Sequence, residues 1–299
     1  MNHQRSKDHT EQLDFYKKEI VKVVHLMYQR QFIAASDGNV SALLDDGNVI
    51  TTPSGIPKGL INEDDLVIVN RHGEKIAGAE HLQPSSELKM HLRVYELRSD
   101  VRAIVHAHPP ITTAFSVANV RLSDVILPET IFTLGMIEFS EYATPTTEKV
   151  AESISEAVVS NDVIVLTRHG SLTVGKTLME AFSKLDSLEH TCKIICEAMK
   201  ISGVVNASSS SAILTPLPAV EVERLREIKR KISERGKCQN GNGRCKGCPE
   251  NHDQLCSDKE KMKVEVEVEV ETELGKEEDI LSEKNISYIV NEVVKRLAL

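Results

Sequence analysis

Two histidines one residue apart, in Val105-His106-Ala107-His108, are a spacing with chemical consequences. Alternation along a strand sends both imidazoles to one face, close enough to share a cation. A third, His169, stands after the apolar run Val163 to Leu166 and before Gly170, where a strand end can aim it into the same site. Three imidazoles would leave one position of a tetrahedral cation open to substrate. The same His-x-His spacing is also compatible with two polar strand residues facing solvent. Glu87 follows Pro84-Ser85-Ser86 at a helix start, where backbone N–H groups and hydroxyls make an anion site. Taken alone, this segment is equally an ordinary cap with an acidic residue favoured by the helix dipole. The turns Ser36-Asp37-Gly38-Asn39-Val40-Ser41 and Thr52-Pro53-Ser54-Gly55 can cradle phosphate. Either is also an ordinary turn by composition.

The elements that must position these residues are legible as periodicities. Leu13, Tyr16, Ile20, Val24 and Met27 predict an amphipathic helix from Glu11 to about Ile33. Short apolar runs at Val40 to Leu44, Val49 to Thr52 and Leu66 to Val69 read as antiparallel strands, with Asp46-Gly47 as a hairpin turn. Ser85 to Arg98 reads as a helix, and Ala103 to His108 and Val163 to Thr167 as strands. Thr147 to Ser160, Leu178 to Met199 and Val220 to Ser233 are helical in pattern. The expected fold is an α/β sandwich around a mainly antiparallel sheet.

Of 299 residues, 40% are hydrophobic and 27% charged, the composition of a globular protein. The net charge of -9 argues against nucleic acid or an anionic membrane as partner. No apolar run approaches a membrane span and the N-terminus has no signal-peptide core, which predicts a cytoplasmic location.

Five motifs in order, S-D-G-N-V-S (36 to 41), T-P-S-G-I-P (52 to 57), P-S-S-E (84 to 87), V-H-A-H (105 to 108) and R-H-G (168 to 170), resemble the class II aldolase and adducin-head family. The resemblance covers about residues 11 to 215. It implies one zinc ion on His106, His108 and His169, with Glu87 as general acid/base beside it. Phosphate would be held by Ser36, Asn39, Ser54, Gly55, Ser85 and Ser86. It also implies a homotetramer with sites between subunits, and cleavage of a deoxyketose 1-phosphate of the L-fuculose or L-rhamnulose type to dihydroxyacetone phosphate and L-lactaldehyde. The alternatives on this scaffold are L-ribulose-5-phosphate 4-epimerase, methylthioribulose-1-phosphate dehydratase and a non-catalytic adducin-like binding module. Aldolases of the family use a tyrosine some twenty residues past the His-x-His pair, where this chain has Leu127 or its neighbours. The resemblance therefore names no proton donor to the aldehyde product.

Composition changes after Arg235, which predicts a catalytic domain over 1–235, a Cys-containing and acidic linker over 236–279 and a terminal amphipathic helix over 280–299. Cys238, Cys245, Cys248 and Cys256, with His252 nearby, could form a second zinc or iron–sulfur site, or remain unliganded thiols. Ile286, Ile289, Val290, Val293 and Leu297 make one helical stripe. A tethered terminal helix of this kind resembles the peptides that direct enzymes into bacterial microcompartments, with a shell protein as the expected partner. Folding back onto its own domain, or onto its copies, is the alternative.

Overall fold

The computed structural model describes residues 2–122, 127–205, 214 and 216–238. The chain divides into units of 1–232 and 233–299. Of the second, only the end of a helix is described, so Cys245, Cys248, Cys256, His252 and the stripe within 280–299 lie outside the described residues.

A single eight-stranded sheet organises the first unit. Its strands are β1 (Asn39–Leu43), β2 (Val49–Thr51), β3 (Val67–Val69), β4 (Lys75–Ala77), β5 (Ala103–Ala107), β6 (Ile137–Ser140), β7 (Val163–Leu166) and β8 (Gly170–Gly175), in the order β4-β3-β2-β1-β5-β8-β7-β6. Every pairing is antiparallel except β6 with β7. The central strands β5, β7 and β8 are buried along their whole length, because helices cover both faces.

On one face, α1 (Asn2–Gln29) contributes Ile20, Val24 and Met27 and α5 (Leu178–Val205) contributes Ala181 and Leu185 to a core with Val40, Ala42 and Val105. On the other, α2 (Leu88–Leu97) and α4 (Glu148–Val158) place Met90, Val94, Ile154 and Val158 against Ile104, Ile164, Leu172 and Val174. Side chains of this size stabilise the fold by about 1.5–3 kcal/mol each when fully buried. α3 (Pro110–Val117) packs beside α5 through Phe115, Leu188 and Cys192, and α6 spans Ala219–Cys238.

The α/β sandwich is therefore as expected, with differences at element ends. α1 begins at Asn2 and stops at Gln29, short of Ile33, which turns into the core. The helix expected from Ser85 starts at Leu88, because an isolated bridge from Pro53 holds Pro84 and the chain then turns through Ser86 and Glu87 before the first helical residue. β5 ends at Ala107, one residue before His108, since the following prolines have no N–H for a ladder. The short edge strand β4, the parallel edge β6, the helix α3 and the central strand β8, which follows β7 after one tight turn, are not among the elements that the sequence predicts.

Candidate metal centre

At the C-terminal ends of β5 and β7, one ligand atom from each of Glu87, His106, His108 and His169 lies within 4.8 Å of all the others. His106 leaves the β5 strand fully buried, while His108 follows the strand end with its N–H donating to Phe32 O at 3.0 Å. His169 sits on the tight turn from β7 to β8, where its N–H reaches Leu166 O at 3.0 Å. Glu87 precedes α2 in a turn conformation (φ -99°, ψ 8°) that aims its carboxylate at the histidines. It stands among the ligand atoms, closer than the sequence reading placed it.

Two glycines permit this convergence. A Cβ on Gly170 would lie 2.2 Å from Ala107 O and 2.7 Å from His108 Cδ2, and one on Gly38 would lie 2.8 Å from His106 O. Any side chain at either position would push the histidine-bearing backbone away.

The donor set has the chemistry of a cation site. His106 Nδ1 lies 2.9 Å from Ser171 O, and only a ring N–H can face a carbonyl, so Nε2 carries the lone pair. That lone pair points at Glu87 Oε2 (3.1 Å) and at His108 Nε2 (3.1 Å). Glu87 Oε1 is 3.0 Å from His169 Nε2 yet has no properly directed donor. Such converging acceptors need a shared cation to be stable together. Tetrahedral zinc with bonds of about 2.1 Å spaces its ligands by about 3.4 Å, so the pairs at 3.0–3.1 Å would open slightly and the wider ones, up to 4.8 Å, would close to admit it.

Burial alone would raise the Glu87 carboxyl, but where a proton is shared among these lone pairs the positive charge on the His106 and His169 imidazoles holds it well below the ordinary carboxylate range. Burial, with His106 and His169 beside it, lowers His108 to about 3 and leaves its imidazole neutral at pH 7. Complete burial of His106 also excludes the solvent-facing alternative for the His-x-His pair.

The three turns expected to hold phosphate adjoin this group. Ser54 N–H donates to Gln83 O at 2.9 Å, which ties the 52–55 turn to the 84–87 turn. Ser36, Ser54, Gly55 and Ser86 are exposed and Ser85 is half-buried, with Gly55 at φ +77°. Asn39 differs from them: it is 2% exposed, and its Nδ2 donates to Glu87 Oε2 at 3.2 Å. The structure thus brings Asn39 to the carboxylate rather than to the exposed turns.

Three residues escaped the sequence reading. Lys58 is 1% exposed, and its Nζ donates to Ser36 O (2.9 Å) and Pro53 O (3.3 Å), joining the first two turns. His91 and Tyr95 converge on Ser41 Oγ at 2.7 and 2.9 Å. Burial, with His106 nearby, lowers His91 to about 3. With Glu87 just before the helix they fall at i, i+4 and i+8, a polar stripe among the buried Leu88, Met90 and Val94, which is the signal that could have found them.

A histidine triad with a carboxylate, carried at one end of a mainly antiparallel sheet between helical layers, defines an α/β protein with a group able to hold a metal ion. The chain belongs to the class II aldolase and adducin N-terminal domain family, which matches residues 18–196. It is 39% identical over 177 residues to an L-fuculose phosphate aldolase of Methanococcus vannielii, covering 59% of this chain and 93% of that one. It is 31% identical over 183 residues to a 3-oxo-tetronate 4-phosphate decarboxylase of Escherichia coli, covering 60% and 85%. A solved L-fuculose 1-phosphate aldolase superposes with a TM-score of 0.62 at 28% identity, over 72% of this chain and 95% of that one. No helix among the described residues is long and apolar enough to cross a membrane.

Proposed function

We propose that this chain is a zinc-dependent aldolase cleaving a deoxyketose 1-phosphate, of the L-fuculose or L-rhamnulose 1-phosphate type, to dihydroxyacetone phosphate and L-lactaldehyde. The observation that carries the reading is the convergence of Glu87 with His106, His108 and His169 within 4.8 Å. Held by the three histidines with Glu87 beside them, a cation would supply electrophilic stabilisation of negative charge developing on the substrate oxygens.

The chain's own residues do the rest. Serines 36, 54, 85 and 86, with the backbone N–H of Gly55, hold the phosphate and so fix the distance of the reacting carbons from Glu87. In cleavage the C4 hydroxyl loses its proton, the C3–C4 bond breaks and C3 gains a proton. Glu87 is placed to deliver and retrieve the C3 proton, and Asn39 orients it through the bond to Oε2. The catalytic region is 1–235, and a homotetramer with sites between subunits fits the family.

A second reading has specific support, because a 3-oxo-tetronate 4-phosphate decarboxylase is 31% identical over 183 residues. Decarboxylation also leaves electrons on a carbon beside a carbonyl, with CO2 departing in place of an aldehyde, so the same Glu87 would protonate that carbon. One assay separates the two. Zinc-loaded protein is incubated with dihydroxyacetone phosphate and L-lactaldehyde, and separately with a 3-oxo-tetronate 4-phosphate. Condensation to a ketose 1-phosphate supports the aldolase, CO2 release alone supports the decarboxylase, and neither product rejects both.

The terminal stripe of Ile286, Ile289, Val290, Val293 and Leu297 supports docking of 280–299 onto a microcompartment shell protein. Puncta from a fluorescent fusion of this segment, abolished by Ile289→Glu, test that assignment.

A further inference from the structure

A buried carboxylate outside the metal centre holds the helix that joins two of its ligands. α3 starts two residues after His108, and Glu189 of α5, only 1% exposed, accepts hydrogen bonds at its start. Glu189 Oε1 accepts from the Ile111 N–H at 3.0 Å, and Oε2 accepts from the Thr112 N–H and the Thr112 hydroxyl, both at 2.8 Å. Two of the N–H groups that a helix start leaves without partners are satisfied in this way.

Further along α3, Ser116 Oγ accepts the N–H of Arg168 at 2.9 Å. Arg168 holds a left-handed backbone (φ +59°), strained for a residue with a side chain, and directly precedes His169. A shift of α3 would therefore move His108 at its start and His169 through Ser116. Helix and turn together act as a spacer between two ligands.

We propose that Glu189 is a positioning residue for the metal centre: by clamping the start of α3 it sets the separation of His108 and His169, and with it the affinity for zinc. The inference rests on reading the histidine–glutamate group as a metal site. Groups that orient metal ligands without touching the ion typically contribute about 10- to 100-fold to affinity.

The test uses the full chain freed of metal and titrated with zinc against a colorimetric chelator. Glu189→Ala is expected to bind zinc about 10- to 100-fold more weakly and to change the visible absorption of the cobalt-loaded protein. Glu189→Gln, which keeps one accepting oxygen and the side-chain volume, should recover part of the loss, and it carries the test if Glu189→Ala does not fold. Lys184→Met serves as the control. Lys184 is also buried on α5, but it donates to Asp162 Oδ2 and Val174 O at 2.9 Å, away from α3. It should lower the melting temperature of the metal-free protein while leaving zinc affinity within about two-fold. A zinc affinity in both Glu189 variants within two-fold of the unaltered chain would overturn the proposal, as would an equal loss in Lys184→Met. Failure of the unaltered chain to bind zinc would instead reject the metal site itself.

Discussion

The same strands carry a polar cluster at each end, and the two clusters differ in how their polar groups are satisfied. Before β5 and β7, Arg98 bonds both oxygens of Asp100 (2.7 and 2.8 Å) and Asp162 Oδ1 (2.9 Å), while Lys184 bonds Asp162 Oδ2 (2.9 Å). Each of these carboxylate oxygens meets a cationic donor, and the remaining donors reach carbonyls, Arg98 Nη1 to Val158 O and Lys184 Nζ to Val174 O, both at 2.9 Å. After β5 and β7 the lone pair of His106 faces the Glu87 carboxylate, and Glu87 Oε1 and Asn39 Oδ1 have no donor. A cluster that closes on itself holds the fold together; one that leaves its lone pairs converging requires something from outside.

The strongest way to break this contrast is to remove a ligand. His106→Ala, His108→Ala or His169→Ala should each weaken zinc binding by more than about 100-fold and abolish turnover, as read by metal content after dialysis and by aldehyde release. Glu87→Gln should keep most of the metal and lose about 10²- to 10⁴-fold in turnover, because its amide cannot carry the C3 proton. Full activity in that variant would remove Glu87 from the mechanism.

At the opposite end the expected effects are on stability alone. Lys184→Met should cost about 1–3 kcal/mol in urea unfolding with one zinc per chain retained, since Asp162 is partly exposed and water screens the loss. The smallest effect is in acid. The Arg98 guanidinium holds Asp100 at about 2, and Asp162, which burial would raise, is lowered by its bonds to Lys184 and Arg98. A carboxyl lowered by folding stabilises the fold above its unfolded value and loses that contribution as pH falls through its folded value. Asp100→Asn should therefore be less stable than the unaltered chain by under about 1 kcal/mol near pH 5, with the difference vanishing towards pH 2. Urea midpoints across that range measure it.

Legibility in the sequence followed how local each signal was. The His-x-His pair, the histidine before Gly170 and the carboxylate after two serines were visible because the cation site draws its ligands from strand ends and a helix start. The sandwich was visible for the same reason, since β5 and β7 are apolar runs and α4 repeats its buried Val150, Ile154 and Val158 at helical spacing. Glu189 and Lys58 were not. Glu189 looks like one more charged residue on a helix that also carries Lys184, Asp186 and Lys193 until Ile111, 78 residues away, is placed against it. Lys58 looks like an ordinary turn lysine until its carbonyl partners enclose it. The start of α2 was misread because serine is a favoured cap, whereas here the bridge from Pro53 holds Pro84 and the chain turns through Ser86 and Glu87 before the helix.

The central claim is that His106, His108 and His169, with Glu87 beside them, hold one divalent cation. Zinc K-edge X-ray absorption of the full chain loaded with one equivalent tests it most directly, because it also separates this group from the cysteines of 238–256. The account predicts a shell of nitrogen and oxygen at about 2.0–2.1 Å with the scattering pattern of imidazole, lost in His106→Ala. A shell of sulfur at about 2.3 Å would contradict it.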